Sequence, residues 1–215
     1  MPKAEPAFDP SQVRPLPREF FDRDPRQVGR DLLGKVLVRR DRGKLRVGRV
    51  VEVEVYLGQE DPAAHAYIGR TARNSVLFGP PGHAYVYFIY GNHYCLNVSC
   101  EEEGRAGCVL FRALEPVAGI AAMERARGFN GSALPAARIR KLLASGPGRL
   151  SDAMAITRER DNAKDLTSSR SDLWLGDDGF RPRRIAVTPR VGIKKAIEQP
   201  LRYLIAGSQF LSKKI

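Results

Sequence analysis

Apolar residues recur along this chain at two periods, and the switches between them divide it into elements. Phe20, Phe21, Val28, Leu32 and Leu33 follow helical spacing around Asp24-Pro25, a helix-start pair, and predict a helix over 20–33. Residues 35–39 and 44–56, rich in Val and Leu, read as strands. From 57 to 82 the pattern gives way to Gly58, Gly69, Gly79, Pro80, Pro81 and Gly82, a long ordered loop of the kind that usually carries function. Two β-rich runs in 84–99 (AYVYFIYGNHYCLNVS) flank Gly91-Asn92 and predict a hairpin. Residues 108–113 form a further strand. Residues 118–127, 136–144 and 150–157 read as helices, the last following Gly146-Pro147-Gly148, and 184–187 and 201–206 finish as strands. Residues 1–17, Pro-rich and without period, are expected to form a flexible arm, leaving 18–215 as one domain. Strands and helices mix without regular βαβ alternation, which predicts an α+β fold.

Composition narrows the setting. The chain has 215 residues, 43% of them apolar, enough for a core without metal or disulfide staples. No apolar run approaches the roughly 18 residues of a membrane span. The first twenty residues lack the apolar core of a secretory signal. Three cysteines, an odd number, argue for a reducing compartment. The expectation is an intracellular, cytoplasmic protein, not secreted. Its charge is lopsided: net +12, with 13 basic and 7 acidic residues in 1–50, 13 of each in 51–169, and 10 against 4 in 170–215. Basic flanks of this size suggest a polyanionic partner such as nucleic acid, or a solvated surface.

Candidate chemistry concentrates in VVEVEVYLGQED. Glu52 and Glu54 lie two apart on a strand and so share a face. Alternate Val51, Val53 and Val55 would bury the other face. That leaves the glutamates on a solvated face, or in a cleft for acid–base work or metal binding. The histidines and cysteines have no CxxC pair, and the zinc-deaminase pattern is absent. No GxSxG, GxGxxG or P-loop occurs. No metal site is therefore expected. Cys95 and Cys108 read as small hydrophobes. The hairpin concentrates Tyr85, Tyr87, Phe88, Tyr90 and Tyr94. Aromatics suit a sheet core, but Tyr90 at the tip, in a basic protein, also fits a wedge entering stacked bases. Gly146 and Gly148, opening a helix beside Arg149, would offer backbone N–H groups to an anion, or simply cap the helix.

VEVEVYLGQEDPAAH, ARNSVLFGPPGHAYVYFIYGNHYCLNVS, CVLFRALEP, SGPGRL and PLRYLIAGS together, in order from about Phe20 to Ser208, resemble the alkyladenine (3-methyladenine) DNA glycosylase family. The resemblance implies a monofunctional glycosylase of base excision repair. Such an enzyme binds duplex DNA containing damaged purines at the minor groove and flips the lesion into a pocket. It hydrolyses the N-glycosidic bond, leaves an abasic site, and needs no cofactor. By the same resemblance Glu54 is the catalytic carboxylate and Arg112 the arginine beside the water. Tyr56, His65, Tyr87 and Asn97 form the lesion pocket, and Tyr90 intercalates. Asn92-His93 is more polar than the apolar-aromatic pair of mammalian members. Arg73, Gly146, Gly148, Arg149 and Ser208 are candidates for DNA-backbone contacts. The expected architecture is an α+β monomer with a curved, largely antiparallel sheet, surrounding helices and a protruding DNA-intercalating hairpin.

Hydrolysis through an oxocarbenium-like state needs a carboxylate that deprotonates water. Glu54 would do this with Arg112 beside it. Aromatic faces would favour a cationic alkylated purine, provided His65 is neutral. A Gly91-Asn92 loop would turn Asn97 away from Tyr87. A shared pocket demands an odd loop, expected as Gly91-Asn92-His93, pairing Tyr87 with Asn97. Two rivals stay open. One is a metal-dependent nuclease using Glu52, Glu54, Glu60 and Asp61. The other is a non-catalytic RNA-binding module.

Overall fold

A strand that is buried on both faces must have neighbours on both edges, and the strand carrying the two glutamates has three. The computed structural model describes residues 8–89, 91 and 93–214. Among these, nine strands form one sheet: Arg14–Pro15 (β1), Val36–Asp41 (β2), Lys44–Leu57 (β3), Ala84–Ile89 (β4), His93–Ser99 (β5), Gly107–Ala118 (β6), Leu173–Asp177 (β7), Ile185–Thr188 (β8) and Arg202–Ile205 (β9). Their order is β1-β7-β2-β3-β6-β5-β4, with β9 beside β3 and β8 beyond it, and every pairing is antiparallel. The helices are Pro25–Leu32 (α1), Ile120–Ala126 (α2), Ala136–Leu143 (α3), Pro147–Ala153 (α4) and Arg158–Asp161 (α5). The fold is a single mixed α+β domain.

β3 pairs with β2 up to Arg49 and with β9 from Glu52 to Glu54, while β6 flanks its other edge. Register shifts at Val47/Gly48 and on either side of Glu52 bend it where the partner changes. Val50, Val53 and Val55 enter the main core with Val28, Leu32, Phe111 and Leu114. The opposite face is also covered: Val51 packs with Ala113 and Phe210. Glu52 and Glu54 are fully buried. The solvated strand face considered from alternation alone is therefore replaced by a strand enclosed on both sides.

The predicted first helix is shorter than its spacing suggested. Asp24 caps α1 by accepting from the Arg26 N–H at 2.7 Å, with Pro25 in the first turn, and Val28 and Leu32 are buried one turn apart. Phe20 ends a separate short turn, Arg18–Phe20, and Phe21 is buried outside the helix. Ala118 ends β6 instead of opening a helix, and α4 begins three residues before the expected 150 and stops at Ala153.

Two corrections concern segments without clear periodicity. In the expected arm, Val13 and Leu16 are buried, Arg14 pairs with Asp177, and Leu16 N–H donates to Leu175 O at 3.0 Å. Residues 13–16 are thus docked on β7. That strand itself, Leu173–Asp177, went unpredicted and supplies the buried Trp174. Behind it, fully buried Arg39 and Asp161 pair at 2.7 Å, fastening β2 to α5.

Candidate active site

β4 and β5 are registered Tyr85 with Asn97, Tyr87 with Cys95, and Ile89 with His93. The interval between the strands is therefore residues 90–92, not the expected 91–93. Tyr87 faces Cys95, not Asn97. The odd loop length holds, however, and odd length is what puts Tyr85, Tyr87, Asn97 and His93 on one face. That face walls a cavity of about 760 Å³. Gly91, with φ +73°, supplies the left-handed residue of the loop. Tyr90 and Asn92 lie outside the described residues.

The opposite wall comes from β3 and β6. Glu54, Tyr56 and Arg112 line the cavity, joined by His65, Leu77 and the α4 start. Arg112 Nη1 lies 3.2 Å from Glu54 Oε2, and the Tyr56 hydroxyl donates to the same oxygen at 3.1 Å. Val191 N–H donates to Glu54 Oε1 at 2.6 Å. An ionised carboxylate has about four acceptor positions. Three donors leave Glu54 one, and it belongs to Oε1. Glu52 is different. Arg112 Nε (3.1 Å), Arg202 Nε (2.8 Å) and the Ser212 hydroxyl (2.7 Å) converge on its Oε1, and Ser212 N–H donates to Oε2 at 2.6 Å. Three donors crowd onto one Glu52 oxygen and one reaches the other. Of the two glutamates on one strand face, only Glu54 lines the cavity, with its open position on Oε1.

Electrostatics follow from these contacts. Burial works against the Arg112 charge, but Glu54 and then Glu52 outweigh it, so its pKa is raised. Burial, then the Glu54 charge, pushes the Tyr56 hydroxyl far up and keeps it a donor. Burial does the same to Tyr87, and takes Tyr85 to about 12. His65 keeps surface open to the cavity, yet its ring packs edge-on to Tyr87 at 4.5 Å and its Nδ1 lies 2.9 Å from the Tyr85 hydroxyl. Partial burial and then the Arg73 charge lower its pKa, favouring the neutral ring. The three cysteines are free and buried, and burial raises each thiol, Cys108 to about 12.

The lining also includes Gly146, Gly148 and Arg149. Gly146 has φ +148°, open only to glycine in practice, and a Cβ on Gly148 would lie 2.8 Å from His93. Glycines here let the start of α4 approach the hairpin. Two candidates fall elsewhere. Ser208 is not in the cavity wall; its hydroxyl accepts from Phe210 N–H at 3.3 Å. Arg73 is exposed and outside the cavity lining, 5.8 Å from the Tyr87 ring centroid.

Sequence reasoning missed three contributors. Arg190, fully enclosed at its side chain, pairs through both Nη atoms with buried Asp61, donates to Val55 O at 3.0 Å, and lies 4.7 Å from the Tyr56 ring centroid. It anchors the segment that presents Val191 N–H. Ser212 is the third. Arg190 and Val191 stand in Pro189-Arg190-Val191-Gly192, which carries a turn signal and no periodicity.

The nuclease constellation does not assemble. Glu60 is exposed, Asp61 is held by Arg190, and Glu52, outside the cavity lining, is held by Arg112, Arg202 and Ser212. No three His, Cys, Asp or Glu side chains group as ligands among the described residues. No described helix is long and apolar enough to cross a membrane. The basic flanks are partly paired internally: Lys35 pairs with Asp177, Arg49 with Asp178, Arg181 with Asp177 and Arg202 with Glu52. Lys194 and Lys195, exposed at the cavity, have no acidic partner among the described residues.

Comparison with known proteins gives the family. The chain is 58% identical over 204 residues to a protein of Koribacter versatilis named for 3-methyladenine DNA glycosylase activity, covering 95% of this chain and 96% of the relative. Similarly named proteins of Carboxydothermus hydrogenoformans and Methanoculleus marisnigri are each 45% identical, covering 93% of this chain and 99% of theirs. A sequence model of the methylpurine-DNA glycosylase family matches residues 19–209, and the chain belongs to that family.

Proposed function

We propose that this DNA glycosylase releases alkylated purines, 3-methyladenine and 7-methylguanine foremost, from duplex DNA by direct attack of a water activated by Glu54. The observation that carries the reading is the buried Glu54, which lines the cavity beside Arg112 with one acceptor position left on Oε1. A water on that position gives its proton to Oε1 as its oxygen attacks the anomeric carbon. The glycosidic pair of electrons leaves with the base. Arg112 offsets the carboxylate charge and fixes its second oxygen. Alkylation has already made the purine a good leaving group, so a cationic base needs little protonation. Hypoxanthine and ethenoadenine are candidate neutral substrates.

Tyr87 and neutral His65 offer faces to a cationic base, each worth about 0.5–2 kcal/mol. Tyr56 contributes less by this route, because Arg190 already lies against its ring. Tyr90, between the two hairpin strands in sequence, would fill the gap left by the flipped nucleotide, which costs a few kcal/mol to extrude. Gly146, Gly148, Arg149 and Arg73 would serve the flanking phosphates, with the protein acting as a monomer. The decisive assay is chromatography of free 3-methyladenine released from methylated duplex DNA. Release unaffected by EDTA is the expected result. EDTA-sensitive strand cleavage, or binding to single-stranded RNA without base release, would overturn the proposal in favour of a nuclease or an RNA-binding module.

Asn97 is held rigidly in the wall, its side-chain amide donating to Tyr85 O at 3.1 Å. A side chain fixed at the purine edge would clash with the 2-amino group that guanine carries and adenine lacks. Asn97→Ser is expected to gain excision of unmodified guanine while sparing 3-methyladenine. Unchanged guanine release would sink this account of selectivity.

DNA affinity is expected to fall steeply with salt as phosphate contacts release counterions. Lys194→Gln and Lys195→Gln should each lower the slope of log affinity against log salt by about one unit. Lys35→Gln, at a lysine already paired with Asp177, should leave the slope unchanged. A titration series at several salt concentrations checks both.

A further inference from the structure

The proposed chemistry makes no use of Glu52, yet it is fully buried and takes four donors. Two of them come from one residue, Ser212, three positions beyond the family match at 19–209. The segment carrying Ser212 is built into the molecule. Phe210 is 5% exposed and packs on Val51 and Ala113, the neighbours in sequence of Glu52 and Arg112. Arg202 donates to Lys213 O at 2.5 Å. Ser212 also lines the cavity, and its hydroxyl accepts from Arg112 Nε at 3.3 Å and Nη2 at 3.2 Å while donating to Glu52.

We infer that residues 208–213 are a working part of the active site, with Ser212 the positioning residue that aims Arg112 at Glu54. The guanidinium is a rigid planar fork. Holding its Nε edge against Glu52 and Ser212 fixes the direction of Nη1, the atom that meets Glu54 Oε2. A hydroxyl suits this place because it donates to a carboxylate and accepts from an arginine at once. The inference rests on the reading of Glu54 and Arg112 given above.

The test is single-turnover release of 3-methyladenine from a synthetic duplex. Ser212→Ala should lower the maximal rate about tenfold, the scale of a hydrogen bond to a charged group. The half-saturating enzyme concentration should stay within about twofold, and Ser212→Thr, which keeps the hydroxyl, should restore the rate. Because Ser212 and Glu52 hold the same edge of Arg112, the Glu52→Gln/Ser212→Ala enzyme should lose less than the product of the two single losses. A wild-type rate for Ser212→Ala, a defect confined to half-saturation, or losses that multiply in the double variant would each overturn the inference. Glu54→Gln separates it from the underlying reading. If that variant is inactive while Ser212→Ala is normal, only the role of Ser212 falls. If Glu54→Gln still releases base, the assignment of Glu54 falls first.

Discussion

Glu54→Gln is expected to keep binding lesion-containing duplex and to lose base release by a factor between about a hundred and ten thousand, the range of general-base contributions. The amide matches the carboxylate in shape but cannot accept the water's proton. It also presents an NH₂ to a site arranged entirely with donors: Val191 N–H on one side, Arg112 and Tyr56 on the other. Some loss of stability should accompany the variant, so its melting temperature must be measured beside the rate. Glu52→Gln is the matched control. Its carboxylate does not line the cavity, and its loss acts through misplacement of Arg112, so a smaller defect is expected, about tenfold. Equal inactivity of the two variants, both folded, would mean that the proton does not go to Glu54 alone.

Arg190→Met is expected to produce the largest loss of stability. It strips the cation from Asp61, whose side chain is fully enclosed, leaving only the N–H groups of Leu57 and Ala63 to solvate it. Breaking a buried pair from one side costs about 3–5 kcal/mol. For a chain of this size that is a fall in melting temperature of about 6–20 °C. The pH dependence carries a sign. Burial by itself would raise the Asp61 pKa, but hydrogen bonds from Arg190 and from Ala63 N–H outweigh it and hold the carboxyl below its ordinary value. A depressed carboxyl stabilises the fold above its unfolded pKa of about 3.9, and that contribution is lost as pH falls through the folded value. The gap between wild type and Arg190→Met should therefore be widest near neutral pH and narrow below about pH 4. Denaturant titrations at pH 7 and pH 3 measure it. A gap independent of pH would mean that Arg190 stabilises through packing alone.

Much of the site was legible because it depends on local periods. Residues two apart on a strand share a face, so Glu52, Glu54 and Tyr56 had to point together. The shared pocket of Tyr87 and Asn97 required an odd hairpin loop, and the loop is odd, although the register lies two residues from the expected one. Loop parity decides the face, while the choice among odd registers turns on packing against β6 and α4, which a strand's own pattern does not report. Asp24-Pro25 marked a helix start for the same local reason: the cap closes within two residues.

By itself the sequence determined the family, the α+β class, the faces of the strands and the identity of the carboxylates on offer. Only the tertiary structure decided which carboxylate lines the cavity. Glu54 receives its backbone donor from a residue 137 positions away, and Glu52 from one 160 positions away. Hydrophobic periodicity records whether a side chain is buried against its own neighbourhood; it carries no trace of which distant N–H will meet a given oxygen. For the same reason the basic flanks looked like a uniform footprint. Folding pairs some of those arginines with distant aspartates, Arg49 with Asp178 among them, and leaves Lys194 and Lys195 open at the cavity. A carboxylate's reactivity depends on how many of its acceptor positions are filled, and that number exists only once β3, the segment around Arg190 and the segment around Ser212 have closed on one another.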